Sequence, residues 1–219
     1  MIPFEKIKTL FFDYDGTLHN SIKIYAPAFR KAYDYLVENN LAEERSWTDE
    51  DIGYWLGFNP KEMWEKFMPN LEECERKKCG KIIGDEMKTL IEEGKGDLYE
   101  GTIETLAYLK DKGYKLVFIS NCNTYYMDTH NKTFELHKYF ENFVCAEEYK
   151  FIPKHEILGK ILHNYPMEMA IVGDRNKDME AGVKNNIYTI GCSYGYALEG
   201  ELDQVDLLIK DIRELKNYF

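Results

Sequence analysis

The chain lacks any long apolar run. No window in its 219 residues approaches the roughly 18 apolar residues that a membrane-spanning helix requires. The longest apolar stretch near the amino terminus, Leu10-Phe11-Phe12, is too short for the apolar region of a secretory signal. Positive charge is in deficit. The 28 Lys and Arg residues stand against 39 Asp and Glu, a net charge of -11. Such a surface repels phosphate backbones and anionic membranes, so neither nucleic acid nor a membrane is expected as a partner. Cysteine is sparse, with Cys74, Cys79, Cys122, Cys145 and Cys192 odd in number and scattered. Without a secretory signal they read as reduced thiols, and a cytoplasmic location is expected. Cys74 and Cys79 come nearest to a metal pair, but no histidine lies close to them. His19, His130, His137, His155 and His163 show no metal-ligand spacing and read as structural or exposed. Repeats and low-complexity tracts are absent. What is present is an ordinary globular composition, 44% hydrophobic and 31% charged. It suffices for one sizeable core, or for a core with a smaller companion, and a monomer is the default expectation.

Three short apolar runs organise the chain. Ile7 to Phe12 ends at Asp13, Lys115 to Ile119 ends at Ser120-Asn121, and Met169 to Val172 ends at Gly173-Asp174. Near-continuous apolarity suits strands buried on both faces of a parallel sheet. In open parallel sheets ligands bind beyond the carboxyl ends of the strands, so three polar endings there are a functional signal. Helical spacing follows at Gly101 to Lys112, closed by Gly113, at His155 to Asn164, and at Asp178 to Asn185. Further strands are expected at Ile187 to Ile190 and Val205 to Ile209, with a last helix at Ile212 to Tyr218. The alternation predicts a doubly wound, Rossmann-like α/β core.

Residues 19–98 differ, because no strand-like run occurs there. Ala28, Phe29, Ala32, Tyr33, Leu36 and Val37 mark an amphipathic helix with Pro27 at its first turn. Thr48 with Asp51, and Asn59-Pro60-Lys61-Glu62, carry helix-start signals. Leu71 to Glu93 is helical, with a break expected near Gly80 or Gly84, and Gly94-Lys95-Gly96 is a candidate exit hinge. The expected domains are therefore an α/β core from 1–18 and 99–219, and an all-helical insertion at 19–98.

The residues at the strand ends suit phosphoryl transfer from a monoester, which needs a nucleophile, a proton donor for the leaving oxygen, and cations for the phosphoryl group. Asp13 and Asp15 are two apart where the chain turns out of the sheet, so one is placed to attack and the other to exchange a proton. Gly16 and Thr17 permit a tight turn that aims backbone N–H groups at an anion. Asp174 and Asp178 add hard oxygen ligands of the kind Mg²⁺ prefers, and four acids around one pocket repel each other unless a cation lies among them. Ser120 and Asn121 offer donors to a phosphoryl group, and Lys154 lies where a charge-balancing lysine is needed.

Phe11-Phe12-Asp13-Tyr14-Asp15-Gly16-Thr17-Leu18 resembles the first motif of the haloacid dehalogenase superfamily. Phe118-Ile119-Ser120-Asn121 resembles the second, Lys154 stands at the third, and Ile171 to Asp178 resembles the fourth. The helical insertion is similar to the cap of the phosphoglycolate-phosphatase-like branch. Gly191-Cys192-Ser193-Tyr194-Gly195-Tyr196, with Glu201-Leu202 and Asp206, resembles that branch's carboxyl-terminal pattern. The resemblance implies a Mg²⁺-dependent phosphatase acting on a small phosphorylated metabolite. It implies that Asp13 attacks phosphorus and forms an aspartyl-phosphate while its other oxygen binds Mg²⁺. Asp15 would protonate the leaving oxygen and then activate water, with its carbonyl on the metal. Asp174 would be a direct metal ligand, Asp178 would hold a metal-bound water or the lysine, and Ser120, the Asn121 amide and Lys154 would bind phosphate.

The third motif departs from the family's pattern, since Pro153 precedes Lys154 here and Lys150 is a rival. Position 20 is Asn where an acid is usual. Gly57 to Lys61 is either a substrate-specificity loop or a plain connection, and Trp47, Tyr54, Trp55 and Trp64 read as core of the insertion. A sugar phosphomutase of the β-phosphoglucomutase kind shares all these core residues and is the alternative. A catalytically retired binding domain is a third reading. Dehalogenation would leave Asp15 without a role, and phosphonate cleavage would need a cap lysine that no pattern singles out.

Overall fold

Burial on both sides dictates the strands. The computed structural model describes residues 4–219, so the first three positions of the expected segment 1–18 lie outside them. Six strands form one sheet: β1 (Thr9–Phe12), β2 (Lys115–Ser120), β3 (Asn142–Cys145), β4 (Met169–Gly173), β5 (Tyr188–Cys192) and β6 (Leu207–Ile209). Their side chains alternate between two apolar clusters. Leu10, Phe12, Leu116, Phe118, Ala170 and Val172 enter one, whereas Phe11, Val117, Ile119, Met169 and Ile171 enter the other. Each fully buried side chain of this kind contributes about 1.5–3 kcal/mol, so both faces must be covered.

The order is β3-β2-β1-β4-β5-β6, with every pair parallel. Phe12 lies level with Phe118 on one side and Val172 on the other, so the ends of the three central strands fall side by side. Helices cover the sheet. The α-helices among the described residues are α1 (Ile22–Glu38), α2 (Asp49–Gly53), α3 (Pro60–Phe67), α4 (Glu73–Glu92), α5 (Thr102–Asp111), α6 (Thr124–Phe134), α7 (Lys154–Ile161) and α8 (Asn176–Lys184). Leu106 and Leu109 of α5 and Met127 of α6 join the first cluster, while Ile157, Leu158 and Ile161 of α7 and Ala181 of α8 join the second. This is the doubly wound α/β arrangement that the strand-helix alternation predicts.

The chain divides into two compact units, Met1–Asn20 with Leu98–Phe219, and Ser21–Asp97. The second holds α1 to α4, with no strand among its described residues. Within it α1 packs along α4, burying Ala28, Phe29, Ala32 and Leu36 of the one and Cys79, Ile83, Leu90 and Ile91 of the other. The helix-start signals form capping boxes, with Thr48 Oγ1 accepting from the Asp51 amide at 3.1 Å and Asn59 Oδ1 from the Glu62 amide at 3.0 Å.

Several elements differ from expectation. Pro27 lies inside α1 rather than at its start, because Ile24, Tyr25 and Ala26 extend the buried face toward the amino terminus. The proline forfeits one backbone bond, which that burial outweighs. α4 runs through Gly80 and Gly84 unbroken, since its buried stripe spans both glycines. A Cβ at Gly80 meets nothing within 4 Å. Gly80→Ala is therefore expected to stabilise the protein by about 0.5–1 kcal/mol, read as a raised urea midpoint, and an unchanged or lowered midpoint would contradict it. The last segment forms 3-10 turns over Ile212–Asn217, and α8 begins at Asn176 rather than Asp178. α6 and β3 have no counterpart in the sequence reading. In α6 only Met127 and His130 are buried, and β3 is a four-residue edge strand, so neither carries a strong apolar period. No helix among the described residues is long and apolar enough to cross a membrane.

Candidate active site

The winding of the sheet reverses between β1 and β4, which is where a doubly wound sheet opens a crevice beyond its carboxyl ends. Asp13 follows β1 directly and donates its amide to the Val172 carbonyl at 2.9 Å, while Asp174 follows β4 directly. The next turn brings in Asp178, at the first turn of α8, where its Oδ2 accepts from the Arg175 amide at 3.1 Å. Lys154 opens α7 and reaches the same point. Its Nζ donates to Asp13 Oδ1 at 2.6 Å and to Asp178 Oδ1 at 2.5 Å. All four side chains are buried.

Asp13, Asp174 and Asp178 each place one carboxylate oxygen within 4.8 Å of the others. Lys154 pairs with two of the three acids, Asp13 and Asp178, while the Arg175 guanidinium, paired with Glu201 at 2.8 Å, also acts on Asp174 through its charge and draws its carboxyl down. The electrostatic consequence is direct. Burial, together with the Asp178 charge, raises the Asp13 carboxyl to about 7, although Lys154 pulls it down. Burial and the charges of Asp13 and Asp178 push Asp174 well above the ordinary carboxylate range. Burial works against the charge on Lys154, but Asp13 and Asp178 more than offset it and hold the ammonium protonated. A group of hard oxygen donors with positive charge in deficit fits a hard divalent cation such as Mg²⁺.

Two further expected residues fasten Asp174. Thr17 Oγ1 donates to its Oδ1 at 3.2 Å. Gly16 has φ +87°, and a Cβ there would meet Asp174 Oδ2 at 2.1 Å, so glycine is required for both reasons. Ser120 is buried at the end of β2, with Asn121 half-buried after it, on the strand beside Asp13. Lys150 is placed elsewhere, at an exposed turn with φ 57°. Asp15 does not join the three-carboxylate group. Its Oδ1 accepts from the Tyr126 hydroxyl at 2.6 Å and lies 3.3 Å from His19 Nδ1.

Sequence reading missed several contributors. The Tyr196 amide donates to Asp174 Oδ2 at 2.7 Å, and a Cβ on Gly195 would come within 2.4 Å of both Asp174 Cβ and the Gly16 carbonyl. Both residues stood in the carboxyl-terminal pattern, without a role attached. Glu201 ties that loop down by accepting from Arg175 and from the Leu198 amide. His19 and His130, read as merely structural or exposed, are buried beside Asp15 and Tyr14. Reading Asn123 as a helix cap would have found α6 and placed Tyr126 in its first turn.

A family model described as Haloacid dehalogenase-like hydrolase matches residues 10–192. The chain belongs to that family. Among curated relatives of this haloacid dehalogenase-like hydrolase, a phosphoglycolate phosphatase from Haemophilus influenzae is 26% identical over 207 residues, covering 87% of this chain and 88% of that protein. A pyrophosphatase from Bacillus mycoides is 26% identical over 194 residues, covering 86% and 85%. Among solved structures, a predicted phosphatase from Clostridium acetobutylicum matches with a TM-score of 0.80 at 21% identity, covering 96% of this chain and 97% of that one. At that identity the likeness is one of fold. The superfamily and the phosphoglycolate-phosphatase-like branch read from the motifs hold, and the enzyme class is that of the phosphoric monoester hydrolases.

Proposed function

We propose that this haloacid dehalogenase-like hydrolase is a Mg²⁺-dependent phosphatase of a small phosphorylated metabolite, acting through an aspartyl-phosphate on Asp13. The observation that carries the reading is the buried Asp13–Lys154–Asp178 chain beside Asp174, at the sheet's reversal point. Asp13, Asp174 and Asp178 would hold the metal, which supplies charge to neutralise phosphoryl oxygens.

In the first step a carboxylate oxygen of Asp13 attacks phosphorus, the ester P–O bond breaks, and Asp15 gives its proton to the leaving oxygen. In the second, Asp15 takes a proton from water, the water oxygen attacks the phosphorus, and the acyl-phosphate bond breaks to return Asp13 and release inorganic phosphate. Lys154 holds the Asp13 carboxylate in orientation through its bond to Oδ1 and adds positive charge near the transferred group. Ser120 and the Asn121 amide, at the neighbouring strand end, bind phosphoryl oxygens. To the helical insertion we assign the role of a cap that closes over the site and keeps bulk water from the intermediate. The low isoelectric point, near 5.0, fits a small substrate drawn by a local site rather than by the whole surface.

The test is phosphate release from a panel of phosphorylated metabolites, with Mg²⁺ and after chelation by EDTA, in ¹⁸O-labelled water. Turnover is expected to need Mg²⁺, to return on its re-addition, and to place one labelled oxygen in the released phosphate. Undiminished turnover in EDTA would sink the metal assignment, and transfer to a sugar hydroxyl instead of water would favour the phosphomutase.

A further inference from the structure

We propose that Tyr126, with His19, is a positioning residue for Asp15, holding Oδ1 of the carboxyl so that the proton for the leaving group travels on Oδ2. The inference rests on the phosphatase reading above. Its first support is the geometry. The Tyr126 hydroxyl donates to Asp15 Oδ1 at 2.6 Å, and His19 Nδ1 lies 3.3 Å from the same oxygen. The hydroxyl is also 3.4 Å from His19 Nδ1, so the three groups form one triangle.

Both partners are held rigidly. The Tyr126 amide donates to Asn123 Oδ1 at 2.8 Å in the capped first turn of α6, directly after the Ser120 strand end. Its ring packs on His130, with centroids 3.9 Å apart. His19 is fully buried, stacks on Tyr14 at 5.2 Å with the planes 4° from parallel, and meets the His130 ring edge-on at 4.7 Å. The Tyr14 hydroxyl in turn bonds His130 Nδ1 at 2.7 Å. Four aromatic side chains thus brace one carboxyl, and all of them come from the α/β unit that also carries Asp13.

A purely structural role would not require the phenol. Phenylalanine would pack the same ring without desolvating a hydroxyl. The hydroxyl acts on the chemistry instead. A hydrogen bond donated to a carboxylate is roughly twice as strong as one to a neutral carboxyl. As Asp15 releases its proton, negative charge grows on the carboxylate and the Tyr126 bond strengthens with it, which lowers the barrier of the step where the leaving oxygen is protonated. Fixing Oδ1 also removes the rotation that would otherwise exchange the two oxygens.

This assignment makes a distinctive prediction, because help to a general acid matters only when the leaving group needs a proton. Tyr126→Phe is expected to lower kcat/KM for an alkyl phosphate by about 10–100-fold, a fraction of the 10²–10⁴ that general acids supply. For 4-nitrophenyl phosphate, whose leaving group departs as a stable anion, the loss is expected to stay below about threefold, with KM for both substrates little changed. His19→Phe, which keeps the stacked ring and deletes Nδ1, should show the same selectivity at smaller size. Thermal unfolding of each variant checks that the fold persists. Equal losses on both substrates, or no loss on either, overturn the proposal. A gain in turnover also overturns it, since the contact would then restrain Asp15 from the substrate. If the wild-type protein hydrolyses neither ester with Mg²⁺, the phosphatase reading itself fails, and that outcome is distinct from the others.

Discussion

Asp13→Asn is expected to abolish turnover, by at least about 10⁴-fold, while making the metal-free protein more stable. The loss follows from chemistry, because an amide is a poor nucleophile toward phosphorus and cannot form the acyl-phosphate. The gain follows from electrostatics. In the folded protein the Asp13 carboxyl is raised to about 7, first by burial and then by the Asp178 charge, so the native state binds this proton more tightly than the unfolded chain does. Below the ordinary carboxylate range near pH 4 both states hold the proton, and the penalty is absent. Between about pH 4 and pH 7 the unfolded state releases it first, and native stability falls as pH rises. At pH 8 the penalty is fully present. The three-unit span corresponds to an upper figure on the order of 4 kcal/mol, reduced because the substitution also loosens the Lys154 bond.

A net gain on the order of 2 kcal/mol for metal-free Asp13→Asn at pH 8, shrinking toward zero at pH 4, is the expected result. Guanidinium unfolding in EDTA at both pH values measures it. Saturating Mg²⁺ should reverse the ranking, because a cation held by these acids would stabilise their ionised form in the wild type and would bind the variant less well. Wild-type turnover by the variant would remove Asp13 from the role of nucleophile. A metal-free variant that is less stable than wild type at pH 8 would show that Lys154, not burial, dominates this carboxyl.

Lys154→Met is expected to have the opposite effect on stability. The ammonium bonds both Asp13 and Asp178, and all three groups are buried. Removing one partner from a buried ion pair costs about 3–5 kcal/mol, because the remaining charges have lost their compensation. For a domain of this size that is roughly a 10 °C fall in Tm. Turnover should fall by about 10²-fold or more, since Asp13 loses the bond that orients it. Mg²⁺ is expected to restore part of the lost stability by supplying charge to the same acids, so the gap between variant and wild type narrows as the metal is titrated. Lys150→Met is the matched comparison. That lysine is exposed, and its loss should change stability by less than about 0.5 kcal/mol. Differential scanning calorimetry of both variants, with and without Mg²⁺, decides between them. Equal and small effects from the two substitutions would place the active-site lysine elsewhere.

The two substitutions move stability in opposite directions for one reason. Three buried acids lie together and one ammonium bonds two of them, so the metal-free site carries an excess of negative charge within a small volume. Removing an acid relieves the excess, and removing the lysine increases it. Such a site is less stable than an apolar one of the same size, and the fold tolerates it because the two apolar clusters on either side of the sheet supply stability elsewhere.

The parts of this protein legible in its sequence are those written in local pattern. β1, β2 and β4 announce themselves because strands buried on both faces must be apolar at every position, and their polar endings mark the sheet edge. The capping boxes at Thr48 and Asn59 are equally local, because each is completed within four residues. Asp13, Asp15, Asp174 and Asp178 are legible as candidates for the same reason, since each lies at a strand end or one helical turn beyond it. The tertiary structure alone decided what these residues touch. Lys154 meets Asp13 across 141 positions of chain, and although the motif resemblance favours it over Lys150, no local pattern shows that contact. Asp15 turns toward Tyr126, 111 positions away, on a helix whose polar surface hides its period. Local pattern determines which face of an element is buried, but contacts between distant residues depend on strand order and register. Those are set by how two apolar faces pack against each other, a property of the assembled sheet rather than of any segment within it.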